Sequence, residues 1–217
     1  MRMASHWAGA GLLRRRGAAL RPVLTGRPLV VDAAGDTAVL FPSGPEVRPA
    51  VARALYGGFA EFRGEFDALC RVADRRLPLP LAAVVFAPHD GVDAGLLHRA
   101  EFRRTALFAY QAGLFRLWRE WDVLRVAAVA GEGAGVCTAA YVAGALGLDE
   151  AVRLLVSGRR LPEHGRTRAE RLLRAAGHDR VVRCGPDHTD FDGSSPADGV
   201  PSLRQDLSGG PRDTRAV

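Results

Sequence analysis

Apolar positions along this chain switch between two rhythms. Thr37-Ala-Val-Leu-Phe41 is an unbroken apolar run stopped by Pro42-Ser-Gly-Pro45, which predicts a buried strand ended by turn residues. Leu29-Val-Val31 ahead of it predicts an edge strand. Val51, Leu55, Phe59, Phe62 and Phe66 then recur at three- and four-residue steps, with Glu61, Arg63, Glu65 and Asp67 between them. That spacing predicts one or two amphipathic helices through about Asp74, broken near Gly57-Gly58. Leu77-Pro-Leu-Pro80 interrupts the pattern, Leu81 to Phe86 begins another apolar piece, and His89-Asp90-Gly91 reads as a turn. The strongest helix runs from about Thr105 to Trp121. Leu107, Tyr110, Leu114, Trp118 and Trp121 form its stripe, with Phe108, Phe115 and Leu117 alongside, and core packing accounts for these aromatics. A further amphipathic helix starts at Leu148 and closes at Ser157-Gly158 and Pro162. A charged helix follows from Thr167 to about Ala176. Strands alternating with helices predict an α/β layer structure with a parallel sheet.

Between the two strongest helical patterns lies Ala127-Ala-Val-Ala-Gly131-Glu132-Gly133-Ala134-Gly135-Val-Cys137-Thr-Ala-Ala. It reads as a short apolar strand, a glycine-dense turn and a small-residue helix. This is the layout of a nucleophile elbow, Gly-x-Ser-x-Gly, in which a sharp strand-to-helix turn presents a serine hydroxyl at the top of a sheet. The central position here is Gly133, so the turn is present without its nucleophile. A glycine-rich turn entering a helix also presents free N–H groups to an anion. The spacing at 131, 133 and 135 is neither a dinucleotide-binding fingerprint nor a phosphate loop, so that signal is weak.

Charge changes this picture little. The chain has 217 residues with a formal net charge of +6 and no lysine, isoleucine or asparagine. All basic side chains are arginine, as a GC-rich coding sequence would give. Arg2, Arg14, Arg15, Arg16, Arg21 and Arg27 precede the first carboxylate, Asp32, leaving 24 arginines against 24 acidic residues. The excess therefore sits in a segment without interleaved aromatics, and nucleic-acid binding is not expected. Residues 1–36 read as a basic leader or linker, 37–176 as an α/β domain, and 177–217 as a disordered tail, apart from Val181-Val182. The three cysteines, Cys70, Cys137 and Cys184, have no ligand spacing and predict free thiols in a reducing, cytoplasmic setting. No metal motif is present, and no apolar run approaches the ~18 residues of a membrane span.

Several segments together resemble the acyltransferase domain of polyketide synthases and its relative, malonyl-CoA:acyl carrier protein transacylase. Thr37 to Pro42 is similar to that family's opening strand. Arg53-Ala-Leu-Tyr56, Phe59, Phe62-Arg63 and Phe66-Asp67 are similar to its first helix. Ala106 to Gln111, Arg116 to Arg119 and Trp121 resemble the long helix before the elbow, and Ala139 to Leu146 with Ala151 to Leu154 the helices after it. The resemblance implies the large, hydrolase-like acyltransferase subdomain, a parallel sheet flanked by helices. The small ferredoxin-like subdomain of the family finds no counterpart in the sequence. Within this resemblance the family's Gly-His-Ser-x-Gly falls on Gly131, Glu132, Gly133, Ala134 and Gly135. Its oxyanion glutamine falls on Gly44, a second glutamine on Val47, and its carboxylate-binding arginine on Gly158, beside Arg159.

The expectation is thus an acyltransferase-like protein with no intact catalytic residue, a pseudoenzyme or remnant. Cys137, one turn past the elbow, should point into helix packing. Arg159 and Arg160 are weak candidates for gripping a coenzyme A or phosphopantetheine phosphate, with a solvated helix end as the plainer account. No cofactor is expected, and a coenzyme A thioester or phosphopantetheine arm enters only as ligand. His89-Asp90 as a catalytic pair is less apt than a turn. His164, His178 and His188 sit in contexts unlike that of the family's general base. Two alternatives stay open: a scaffold binding an acyl carrier protein or polyketide synthase module, and an acyltransferase using Glu132 as base.

Overall fold

A computed structural model describes residues 27–44, 46–88, 91, 94–122, 124–158, 161 and 168–186. Four strands form one sheet: β1 (Leu29–Val30), β2 (Thr37–Phe41), β3 (Val126–Gly131) and β4 (Val181–Arg183), in the order β1-β3-β2-β4. β2 is parallel to both β3 and β4, with Val39 opposite Val129 on one side and Val182 on the other. β1 closes one edge antiparallel to β3, as the apolar Leu29-Val-Val31 predicts.

The described residues also form seven α-helices, α1 (Pro49–Gly58), α2 (Ala60–Ala73), α3 (Leu81–Val85), α4 (Ala100–Glu120), α5 (Gly135–Val142), α6 (Leu148–Ser157) and α7 (Arg168–Ala175), and a short 3-10 helix at Ala94–His98. The predicted break near Gly57-Gly58 falls at Phe59, whose extended backbone separates α1 from α2. Leu81 to Phe86 resolves as the short α3, whose first amide, Leu81 N–H, donates to the Asp74 carboxylate at 2.8 Å.

Period two in the strands divides the core. Val39, Phe41 and Val129 face α2, α4, α5 and α6 in the main core, whereas Ala38, Leu40, Ala128 and Ala130 face Ala169 and Leu173 of α7. With both faces covered, β2 and β3 are buried along their whole length, the condition under which strands read as continuous apolar runs. The central support is α4, which starts at Ala100 and not near Thr105. Its first turn, Ala-Glu-Phe-Arg-Arg, is polar enough to hide the helix, but Phe102 is fully buried and extends the apolar stripe backward. The charged helix spans Arg168–Ala175, close to its expected limits.

The C-terminal stretch departs from expectation at its beginning. Beyond β4, Cys184, Gly185 and Pro186 are buried, and the Cys184 amide continues the parallel ladder by donating to the Leu40 carbonyl at 2.8 Å. The disordered tail expected over 177–217 is contradicted up to Pro186, where β4 and its flanks pack onto β2; the remainder, 187–217, lies outside the described residues, as does most of the basic leader. Among the described residues no helix is long and apolar enough to cross a membrane.

Candidate active site at the strand-to-helix turn

Because β2, β3 and β4 are parallel, their carboxyl ends emerge together, and ligands of open α/β sheets bind outside such ends. Gly131 closes β3 opposite Phe41. The Glu132 amide then donates to the Phe41 carbonyl at 2.9 Å, the Gly135 amide turns back to the Glu132 carbonyl at 2.8 Å, and α5 begins. Each glycine of the turn has its own reason. A Cβ at Gly131 would overlap the Gly135 carbonyl, and one at Gly135 would overlap the Phe41 carbonyl, so both outer glycines permit backbone-on-backbone packing. Gly133 stands at φ +49, in the left-handed region that glycine enters without strain. It is half-buried at the tip, while the neighbouring Glu132 side chain is only 1% exposed.

Cys137, in the first turn of the elbow helix, does not replace the missing hydroxyl. Cys137 is fully buried, and burial pushes its thiol up to about 12 against the lowering influence of Arg104. Almost none of it would be thiolate at neutral pH. This is the inward orientation expected from its place one turn into the helix.

The other matched positions scatter. Gly44 lies in the loop after β2 with open space where a side chain would stand. Val47, 4% exposed, belongs to the main core. Gly158 ends α6 in the left-handed conformation, φ +65. The space beside it is taken by Arg104 of α4, whose Nε donates to the Leu155 carbonyl at 2.7 Å and Nη2 to the Val156 carbonyl at 3.2 Å. A Cβ at residue 158 would lie 2.8 Å from that Nη2, so a side chain there would displace the guanidinium. The Arg104 charge complements the last carbonyls of α6, although desolvation lowers its pKa. Arg159, Arg160, His89, Asp90, His164 and His188 lie outside the described residues. His178 is half-buried after α7, where its backbone amide donates to the Leu173 carbonyl at 3.1 Å.

Three polar residues at this end of the fold have no role in the sequence reading: Arg104, Gln111 and Thr138. The signal available was a glutamine inside an apolar helical stripe. Gln111 and Thr138 are both fully buried, and Thr138 Oγ1 donates to Gln111 Oε1 at 2.7 Å.

A second polar cluster supports the elbow helix from behind. Tyr141 of α5 donates its hydroxyl to Glu65 Oε1 of α2 at 2.8 Å. Burial raises the Glu65 pKa; the Tyr141 hydrogen bond and the nearby Arg116 charge pull the other way. A carboxyl raised by folding favours the native state most when protonated, and this contribution is lost as pH rises through its folded pKa. Glu65→Gln keeps an acceptor for Tyr141 and removes the ionisation. Its melting temperature relative to the parent should therefore increase from about pH 4 to about pH 7; a constant or falling difference across thermal melts would contradict this assignment.

No protein-family model matches the chain. It is similar to the phenolphthiocerol synthesis polyketide synthase Pks15/1 of Mycobacterium marinum, at 36% identity over 160 residues, which cover 74% of this chain and 7% of that protein. It is also 39% identical over 129 residues to polyketide synthase GfsA of Streptomyces halstedii, covering 59% of this chain and 2% of that protein. The acyltransferase domain from module 8 of the salinomycin polyketide synthase superposes with a TM-score of 0.51 at 24% identity, over 67% of this chain and 31% of that one. Its relatives are polyketide synthases, and its fold is that of an acyltransferase domain. The segments that resemble this family in sequence thus form an acyltransferase-like fold, with Gly133 at the tip of its elbow. The chain spans a small fraction of the synthases it matches and about a third of the superposed domain.

Proposed function

We propose that this acyltransferase-like chain does not perform transacylation and serves as a non-catalytic companion of a polyketide synthase in the cytoplasm. The observation that carries this reading is Gly133: the elbow is built and its tip has no hydroxyl. Acyl transfer by the covalent route needs a nucleophile activated by a base, and glycine offers neither. Cys137 is buried with a raised pKa, and a side chain at residue 158 would displace the Arg104 guanidinium. Relatives that are polyketide synthases favour a carrier protein or a synthase module as partner, with a coenzyme A thioester or a phosphopantetheine arm as ligand. The reading in which Glu132 acts as base is disfavoured by its 1% exposure.

Incubation with malonyl-CoA and with methylmalonyl-CoA, followed by intact-mass measurement, tests this. The expected result is no covalent acyl adduct and no transfer to an acyl carrier protein. The same result is expected for Gly133→Ser, because Gly44 and Gly158 would still lack the side chains that the family uses beside its serine. An adduct on the parent chain would overturn the proposal. An adduct on Gly133→Ser alone would show that the rest of the site is intact.

A further inference from the structure

Gln111 sits near the middle of α4, is fully buried, and its amide joins a loop and a helix. Its Nε2 donates to the Pro42 carbonyl at 2.8 Å, and its Oε1 accepts from the Thr138 hydroxyl at 2.7 Å. Its own backbone carbonyl accepts from the Cys184 thiol at 3.6 Å. Those partners come from the loop after β2, the elbow helix and the residue after β4. The Pro42 carbonyl lies against the elbow as well, 3.1 Å from where a Cβ on Gly135 would stand. A Cβ on Gly185 would fall 2.9 Å from the Pro42 ring, so the end of β4 packs onto the same loop.

We propose that Gln111 is a buried positioning residue that clamps the loop after β2 to the elbow and to the end of β4, so that the carboxyl ends of the strands hold one arrangement before any ligand arrives. The clamp is independent of whether this end of the sheet carries out acyl transfer. A primary amide suits it because one planar group provides the donor for Pro42 and the acceptor for Thr138. Removing either partner leaves a buried polar atom unsatisfied, and that penalty falls on the junction and not on the distant helices.

The three buried cysteines serve as reporters: Cys184 lies in the clamp, Cys137 on the elbow helix, and Cys70 on α2 away from it. In the full chain carrying Thr138→Val, alkylation of Cys184 and Cys137 under native conditions should accelerate about tenfold, with Cys70 changing much less. Equal acceleration at all three thiols would mean general destabilisation and would overturn the proposal. Gln111→Glu supplies a test that a space-filling role cannot imitate. A protonated carboxyl has one donor and one acceptor in the same plane, whereas the carboxylate turns a second acceptor toward the Pro42 carbonyl. Burial holds that carboxyl toward its neutral form, so the clamp should be kept at low pH and lost as pH rises. The ratio of Cys184 labelling in Gln111→Glu to that in the parent, each normalised to the denatured chain, should therefore increase from about pH 5 to about pH 8. A ratio independent of pH overturns the clamp even if Thr138→Val does not fold.

Discussion

Gly135→Ala should destabilise the fold sharply. The added methyl would overlap the Phe41 carbonyl, and the Pro42 carbonyl stands only 3.1 Å away. Neither obstacle is a flexible side-chain end that can swing aside. Both are backbone atoms, one of them in the central strand β2, where Phe41 is already engaged with the Glu132 amide. Relief requires α5 to move off the sheet, which would open the contacts of Val136 and Ala140 with the main core. Overpacking with freedom to relax costs about 1–3 kcal/mol, and this site should reach or exceed the upper figure. For a chain of this size that lowers the melting temperature by roughly 6–12 °C or more. Thermal melts and soluble yield would check it; a variant that melts within about 2 °C of the parent would show that the elbow is looser than its geometry implies.

Phe66→Ala is the second large effect. Phe66 of α2 is fully buried, and its ring meets Tyr56, Phe62 and Phe86 at centroid separations of 5.8, 5.9 and 5.3 Å. Those partners come from α1, from its own helix and from the end of α3, so one side chain fastens three elements. Truncation of a buried phenylalanine to alanine costs about 3–5 kcal/mol, from lost transfer energy and from the cavity left behind. Collapse is restricted here because Phe62 is itself wedged against Gly113 of α4, where a Cβ would come within 2.9 Å of its ring. The expected value is therefore in the upper part of that range, read as a shift of the denaturant midpoint at unchanged slope. A change in slope would indicate that α1 and α3 detach before the rest.

These two sites differ in how visible they are in the sequence. Phe66 belongs to a helical stripe with Phe59 and Phe62, and its burial follows from spacing alone. The outer glycines mark a turn, but the overlap with the Phe41 carbonyl exists only once β2 lies beside β3. Gln111 shows the limit most clearly: its side-chain partners are 69 and 27 residues away along the chain, and helical spacing assigns it nothing more than a place on a buried face. Arg104 is similar, since its partners Leu155 and Val156 lie 51 and 52 residues on. The first turn of α4 escaped for a local reason, because its charged residues diluted the apolar signal of Phe102. Strand, elbow and helix order were legible because each depends on neighbours within a few positions.

Gly133 at φ +49 also sets a direction for sequence drift. A non-glycine residue in the left-handed region carries roughly 1–2 kcal/mol of strain. Replacing glycine in a compatible conformation recovers about 0.4–1 kcal/mol through the unfolded chain, but at positive φ the strain outweighs that gain. A serine at residue 133 would therefore bear a standing conformational cost that glycine escapes, so a substitution that would give this turn a hydroxyl is also one that the backbone resists.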